Sequence, residues 1–142
     1  MPDLDLRRQR EALVHRHIAA EMAGDAAGTV ATFAVPRYDL VSTETVLDTA
    51  EAVAARVDAL FETMPGAVLE IASLRHADDA IIVETRTTGR HDGPLMGVAP
   101  TGRPYTIRGC AIFRFEGADL VEEIVYNDRL TLIEQLASPV QK

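Results

Sequence analysis

Two titratable side chains, His91 and Asp128, each follow a predicted strand and could carry acid/base chemistry in a pocket. The strand that begins at Ile81 alternates apolar and polar residues, which puts His91 on the apolar face if no bulge intervenes. Imidazole and carboxylate side chains are frequent general acids and bases. A pocket that held both groups could move protons without a cofactor.

Asp128 has two interpretations at this stage. It lies at the junction between the last predicted strand and the closing helix, so it is either a pocket carboxylate or the N-cap of that helix. If the strand alternates regularly, the residues that share its face are Leu120, Glu122, Ile124 and Tyr126. The sequence leaves both roles open.

Other residues with chemical potential favour structural roles. Tyr105 and Tyr126 are typical of core positions with a satisfied hydroxyl, and Cys110 is typical of a small buried apolar residue. His15 and His17 are two residues apart, so they point to different faces of a helix and do not share a metal. The chain has no phosphate loop, dinucleotide fingerprint, nucleophile elbow or HExxH motif.

The elements that must position these residues divide the chain into a helical half and a strand half. Helical spacing dominates to about residue 64, and alternation with a period of two follows. We predict helices at 6–22, 26–34, Val46–Met64 and 130–137, and strands at 38–42, 68–75, from 81, at 105–115 and at 120–127. This order is α+β, and it predicts a curved antiparallel sheet wrapped around the helix Val46–Met64 as a cone with one open end.

Composition limits the classes of function. The 142 residues suit one domain, 1–142, and 14 basic against 22 acidic residues give a net charge of −8, which disfavours binding to nucleic acid. No targeting segment or membrane span is visible, so we expect a soluble, cytoplasmic protein. Apolar residues on the outer sheet face, Ile82, Cys110 and Ile112, predict a homodimer.

Two motifs in the strand half resemble a known family. Residues 89–103 read GRHDGPLMGVAPTGR and residues 128–136 read DRLTLIEQL. Both resemble the SnoaL-like polyketide cyclases, also called ester cyclase-like proteins, of the nuclear transport factor 2-like superfamily. The resemblance implies a cone of helices and curved sheet, usually dimeric. It also implies ring closure by intramolecular aldol condensation without metal or cofactor.

Carried onto this chain, the resemblance makes Asp128 the general acid/base and places His91 in the same pocket. The pocket for a small hydrophobic, polyketide-like substrate would be lined by Tyr126, Ile124, Phe113, Met96 and Tyr105, with loop 93–104 closing its mouth. Two positions depart from the family, since several cyclases have His where Phe113 stands and Trp where Ile124 stands.

Other functions are compatible with the same sequence. They are a binding protein for a small hydrophobic ligand, an isomerase, a hydrolase of the limonene epoxide hydrolase kind and a structural dimerisation module. The hydrolase would need an Asp–Arg–Asp arrangement around a water molecule, and the sequence shows no recognisable spacing for it.

Overall fold

The computed structural model describes residues 1–137, which form four α-helices, one short 3-10 helix (Val41–Thr43) and six strands. The helices are α1 (Leu4–Met22), α2 (Ala26–Thr32), α3 (Ala50–Thr63) and α4 (Arg129–Ala137). The strands are β1 (Tyr38–Leu40), β2 (Thr45–Leu47), β3 (Val68–His76), β4 (Ala80–Arg90), β5 (Pro104–Glu116) and β6 (Asp119–Asn127). The predicted α+β order is therefore confirmed.

Helix α3 begins later than its sequence pattern predicts. The side chain of Thr49 accepts a hydrogen bond from the Ala52 backbone N–H at 3.1 Å, and this N-cap starts the helix at Ala50. The predicted start at Val46 is wrong, because residues 45–47 form a short strand whose backbone pairs with β1.

The strand order across the sheet is β2-β1-β6-β5-β4-β3, and the sheet is curved and does not close. Neighbouring strands are antiparallel except for β1 and β6, which pair in parallel with Tyr38 beside Glu123. The sheet is therefore mixed rather than wholly antiparallel. These two strands are distant in sequence, so no hairpin turn fixes their relative direction.

A β-bulge at Val121 reverses the facing of the second half of β6. Arg114 pairs with Glu122, but the next residue of β5, Phe115, pairs with Leu120, which leaves Val121 as the extra residue. Leu120 faces the core, and beyond the bulge the inward residues are Glu123, Val125 and Asn127. The pocket facing expected for Ile124 and Tyr126 is wrong, because one inserted residue moves each later side chain to the other face.

Helices α1 and α3 pack on the inner face of the sheet. Val14 of α1 and Val53 of α3 are fully buried against Ile81, Phe113 and their neighbours. A second apolar cluster joins α4 to the sheet and to the loop before β5; its members are Leu95, Tyr105, Leu132 and Leu136. The core thus closes the narrow part of the cone and leaves space beside α3.

In residues 1–137, no helix has the length and apolarity needed to cross a bilayer.

Candidate functional site

Two adjoining cavities occupy the space between α3 and the inner face of the sheet. The inner cavity has a volume of about 110 Å³, and the outer one, which reaches α4, has about 270 Å³. Six residues line both: Arg56, Leu60, Met64, Ile107, Val125 and Asn127. Together they form a mostly apolar space of the kind that binds small molecules.

One end of the inner cavity is polar and charged. Glu21 of α1, Arg56 of α3 and Glu123 of β6 line this end. Arg56 Nη1 lies 3.0 Å from Glu21 Oε2, and His17 Nε2 lies 2.7 Å from Glu123 Oε2 directly behind the cavity wall. Buried charges persist when they are paired in this way.

The hydrogen bonds around His17 indicate that both of its ring nitrogens carry protons. Thr32 Oγ1 donates to the Thr29 carbonyl at 2.6 Å, so it accepts from His17 Nδ1, which is 2.7 Å away. The Tyr38 hydroxyl donates to Glu21 Oε2 at 2.6 Å, so it accepts from His17 Nε2 at 3.1 Å. Each hydroxyl has only one proton to donate. His17 is therefore an imidazolium in this network.

The pKa values of His17 and Glu123 are both raised, for different physical reasons. Burial alone would lower the pKa of His17, but the carboxylates of Glu123 and Glu21 outweigh it and raise that pKa above its ordinary value. Burial and the charge of Glu21 raise the pKa of Glu123, while His17 opposes the rise. Burial likewise raises the pKa of Tyr38, which stays a neutral donor.

The cluster balances its charge internally, since two carboxylates face one guanidinium and one imidazolium. Ligand atoms of His17, Glu21 and Glu123 lie within 4.8 Å of one another, a spacing that a metal ion could use. However, Glu21 forms an ion pair with Arg56. The two ring nitrogens of His17 both carry protons, so His17 has no lone pair for a metal. This donor set therefore fits a proton better than a divalent cation.

The charged cluster consists of His17, Glu21, Arg56 and Glu123, which lie on α1, α3 and β6. On α1, His17 and Glu21 are four residues apart and share one face. On the sheet, the register places Glu123 between Phe113 of β5 and Tyr38 of β1. The ring of Phe113 lies edge-on to the ring of His17 with 5.3 Å between their centroids. Glu123 is thus buried among charged partners, with aromatic rings on the neighbouring strands.

Asp128 lies at the rim of the outer cavity and caps α4. Its Oδ1 accepts from the Thr131 backbone N–H at 3.1 Å, and its Oδ2 accepts from the Thr131 hydroxyl at 2.7 Å. The side chain is exposed, and these hydrogen bonds lower its pKa below the ordinary value. The geometry matches the N-cap interpretation, whereas the expected position at the inner end of a pocket is wrong. Its catalytic role stays a prediction.

His91 is fully buried and holds the two ends of the loop before β5 together. Its Nδ1 accepts from the Thr101 backbone N–H at 3.2 Å, and its backbone pairs with Arg103 and Gly102. His91 lines neither cavity, so the structure does not bring it together with Asp128. The same loop contributes Leu95 and Met96 to the wall of the outer cavity.

The other predicted pocket residues divide between the two sheet faces. Phe113 lines the inner cavity and Met96 the outer one, whereas Tyr105 is buried in the cluster beneath α4. Ile124 and Tyr126 line neither cavity, and Tyr126 is 46% exposed on the outer face. The bulge at Val121 is the physical reason.

The sequence interpretation missed the charged cluster, although one signal was present. The buried residues of α1 are Arg10, Val14, His17 and Glu21, whose spacing follows a single helical stripe. Polar residues on such a stripe indicate buried pairing. Glu123 gave no comparable signal, because its inward facing depends on the bulge.

Comparison with known proteins shows the family and the fold. The family model described as SnoaL-like polyketide cyclase matches residues 11–136. A proposed SnoaL-like polyketide cyclase from Jannaschia sp. CCS1 has a TM-score of 0.85 at 20% identity and covers 98% of this chain and 99% of its own. IdmH from Streptomyces antibioticus, a proposed polyketide cyclase, has a TM-score of 0.77 at 21% identity over 92% and 99%.

A protein of ketosteroid isomerase-like fold from Catenulispora acidiphila, solved with trimethylamine, has a TM-score of 0.73 at 15% identity over 89% of this chain and 93% of its own. At these identities the likeness concerns the fold. Among curated protein sequences, none is significantly similar to this chain.

Proposed function

The chain belongs to the SnoaL-like polyketide cyclase family, and from this premise we propose that it is a cofactor-independent enzyme that closes a ring by acid/base catalysis. The substrate is a small, mostly apolar, polyketide-like molecule with an acidic C–H between carbonyl groups. Glu123 is the general base and acid of this reaction. The observation that carries the proposal is the Glu123 carboxylate at the charged end of an apolar cavity, 2.7 Å from the His17 imidazolium.

The chemistry follows from the charge of the pair. Glu123 removes the proton of the substrate carbon, and the resulting enolate carbon attacks a second carbonyl carbon of the same molecule. A C–C bond forms, the carbonyl becomes an alkoxide, and Glu123 returns the proton to that oxygen. The protonated His17 and Arg56 remain cationic throughout and offset the negative charge that passes to the substrate. No atom is gained or lost, so the product is an isomer of the substrate.

Burial suits Glu123 to this task. Burial and the neighbouring charge of Glu21 raise its pKa, and a base with a raised pKa takes a carbon-bound proton more readily. Asp128 is the competing candidate from the sequence, with His91 as its partner. The lowered pKa of Asp128 makes it the weaker base of the two carboxylates.

The test is an assay of ring closure on an aryl β-keto ester with a pendant aldehyde, followed by chromatography, with deuterium uptake at the acidic carbon as a second readout. We expect Glu123→Gln to lower turnover by roughly 10²- to 10⁴-fold. The matched control is Glu122→Gln, because Glu122 is the preceding residue and lies on the outer face, 3.0 Å from Arg37.

Asp128→Asn separates the two catalytic assignments, since Asn is also a good N-cap and keeps α4 capped. Loss of turnover in Asp128→Asn with retention in Glu123→Gln would transfer the catalytic role to Asp128. Full activity in both variants would exclude both carboxylates as the catalyst, and absence of turnover in the parent protein would support the binding-protein alternative.

Epoxide hydrolysis is a second candidate, favoured by one observation. Glu21, Arg56 and Glu123 form a carboxylate–guanidinium–carboxylate arrangement at the cavity wall, similar in charge to the Asp–Arg–Asp set of such hydrolases. In that reaction Glu123 would take a proton from water as the water oxygen attacks an epoxide carbon. The ring C–O bond at that carbon would break, and the proton would pass to the released epoxide oxygen to give the diol. Cyclohexene oxide tests this candidate, because formation of the diol adds one water to the mass.

We also propose that the protein is a homodimer of the cytoplasm. Three isoleucines, Ile82, Ile112 and Ile124, lie in one row across β4, β5 and β6 on the outer face, next to the exposed ring of Tyr126. Apolar rows on an open sheet face are frequent interfaces. Light scattering at micromolar concentration tests the dimer, for which a monomeric mass is the contrary result. The single cysteine is compatible with a reducing compartment, and cell fractionation tests it.

A further inference from the structure

A second polar site lies on the sheet at a distance from the charged cluster. The strand register places Thr85 of β4, Gly109 of β5 and Asn127 of β6 side by side in one row across three strands. Thr85 lines the inner cavity, and Asn127 lines both cavities. We call this row the polar notch.

Gly109 gives the notch its shape. A Cβ atom at this position would lie 2.7 Å from Asn127 Oδ1 and 3.0 Å from Thr85 Oγ1. The two polar side chains therefore lean over the glycine from either side and occupy the space that any other residue would fill. A Cβ at this position would force the Asn127 amide to move, so glycine leaves both polar groups room to approach each other at the cavity wall.

The polar groups of the notch are free to bind a ligand. Among residues 1–137, neither the Thr85 hydroxyl nor the Asn127 amide makes a side-chain hydrogen bond to the protein, whereas hydroxyls at the cavity rim are occupied. Thr43 and Thr63, for example, donate to the carbonyls of Leu40 and Leu60. Thr85 is half-buried and Asn127 is exposed where the two cavities meet, so both groups are open to a polar atom of a ligand in the cavity.

Asn127 is also held in position. Ser42 Oγ donates to the Asn127 carbonyl at 2.9 Å and accepts from the Asn127 N–H at 3.2 Å. This pair of hydrogen bonds ties the end of β6 to the short 3-10 helix. The backbone that carries the amide is thereby fixed where the two cavities meet.

The distance between the notch and Glu123 determines which part of a substrate the notch can bind. Asn127 follows Glu123 by four residues on the same strand, which is about 13 Å along an extended backbone. An oxygen bound there does not belong to the carbonyl beside the reacting carbon. We infer that the polar notch binds an uncharged oxygen, a carbonyl or hydroxyl, at the far end of an elongated apolar substrate.

This inference rests on the proposed function, which places the reacting carbon beside Glu123. It further specifies that the substrate is long and has a second polar group at its other end. The notch contains no charged side chain, so it favours a ketone, ester or phenol over a carboxylate or phosphate. Two adjoining cavities, with Glu123 in the wall of one and Asn127 in the wall of both, fit a molecule with polar groups at both ends.

The experiment measures binding, so its result does not depend on turnover. The probes are 2-naphthol and naphthalene, which differ by one hydroxyl, titrated by fluorescence against the full-length protein. We expect 2-naphthol to bind about 10-fold more tightly. The ratio of the two dissociation constants, naphthalene to 2-naphthol, should fall close to one in Thr85→Val and Asn127→Leu, which keep the size of the side chains and remove their polar groups. The affinity for naphthalene should not fall in these variants. Gly109→Ala should weaken 2-naphthol as well.

Glu123→Gln is the control, and it should leave the ratio unchanged. A ratio that falls in Glu123→Gln but persists in Thr85→Val and Asn127→Leu overturns the inference, as does the absence of saturable 2-naphthol binding. If Glu123→Gln retains full turnover while the notch variants lose the ratio, the proposed catalysis fails and the notch stands. If Glu123→Gln loses turnover and the notch variants keep the ratio, the notch fails alone.

Discussion

The buried His17–Glu123 pair predicts a large and pH-dependent loss of stability when His17 is replaced. His17→Gln removes the positive charge and leaves the Glu123 carboxylate buried without its closest counterion, 2.7 Å away. Breaking a buried ion pair at one partner typically costs about 3–5 kcal/mol. The Gln amide can retain a hydrogen bond to Thr32 or Tyr38, so we expect about 3 kcal/mol. His15→Gln is the matched control, because His15 is exposed on the same helix.

A double-mutant cycle isolates the interaction itself. Urea unfolding of the parent, His17→Gln, Glu123→Gln and the double variant should give a coupling energy of about 2 kcal/mol at about pH 6. The double variant should be less destabilised than the sum of the single variants, because it leaves no uncompensated charge. A coupling below about 0.5 kcal/mol would refute the ion pair.

The pH dependence has a definite sign. The folded-state pKa of His17 lies above its unfolded value of 6.5, so its stabilising contribution is complete below that pH and is lost as pH rises through the folded pKa. The coupling energy should therefore fall as pH rises above 6.5 and through the raised folded-state pKa of His17. A coupling that stays constant over this range would show that neutral packing, rather than charge, holds His17 in place.

Three further predictions concern other parts of the fold. Arg10→Met should lower the free energy of unfolding by about 2–4 kcal/mol, because the buried guanidinium donates to the carbonyls of Gly117 and Asp78 at 2.8 and 3.0 Å. Urea unfolding measures this loss, with Arg8→Met at an exposed position as the control. Equal stability of the two variants would contradict the prediction. Asp128→Ala should reduce the helicity and protection of α4 in hydrogen exchange, whereas Asp128→Asn should not, and equal effects of the two would exclude the capping role. Burial raises the pKa of the Cys110 thiol, so its alkylation by iodoacetamide should be slow near pH 7 and should accelerate only at higher pH than for the unfolded chain; identical pH profiles in the two states would be the contrary result.

The order of the elements could be predicted from the sequence, because it depends on local patterns. The change of hydrophobic period after Pro65-Gly66 separates the helical half from the strand half. The observed β3, β5 and β6 begin and end within a few residues of their predicted limits, and β4 begins one residue before its predicted start. The two motifs at 89–103 and 128–136 led to the family that the comparisons show. The residue type at 128 was also sufficient to raise the capping role that the structure displays.

The position of the candidate catalyst depended on tertiary structure. Alternation along β6 predicts an inward Ile124 and Tyr126, and one extra residue at Val121 places Glu123 inward instead. The bulge depends on how β5 and β6 pair, so it cannot be predicted from the sequence of β6 alone.

The charged cluster likewise required contacts between distant segments. Glu123 on β6 stabilises the protonated form of His17. The parallel pairing of β1 with β6 places Tyr38 beside Glu123. The sequence determined which segments are helices and strands and to which family the chain belongs, since those depend on neighbouring residues. Tertiary structure decided which carboxylate is buried beside a cation, because a pKa depends on the charges and the solvent that surround a group in space.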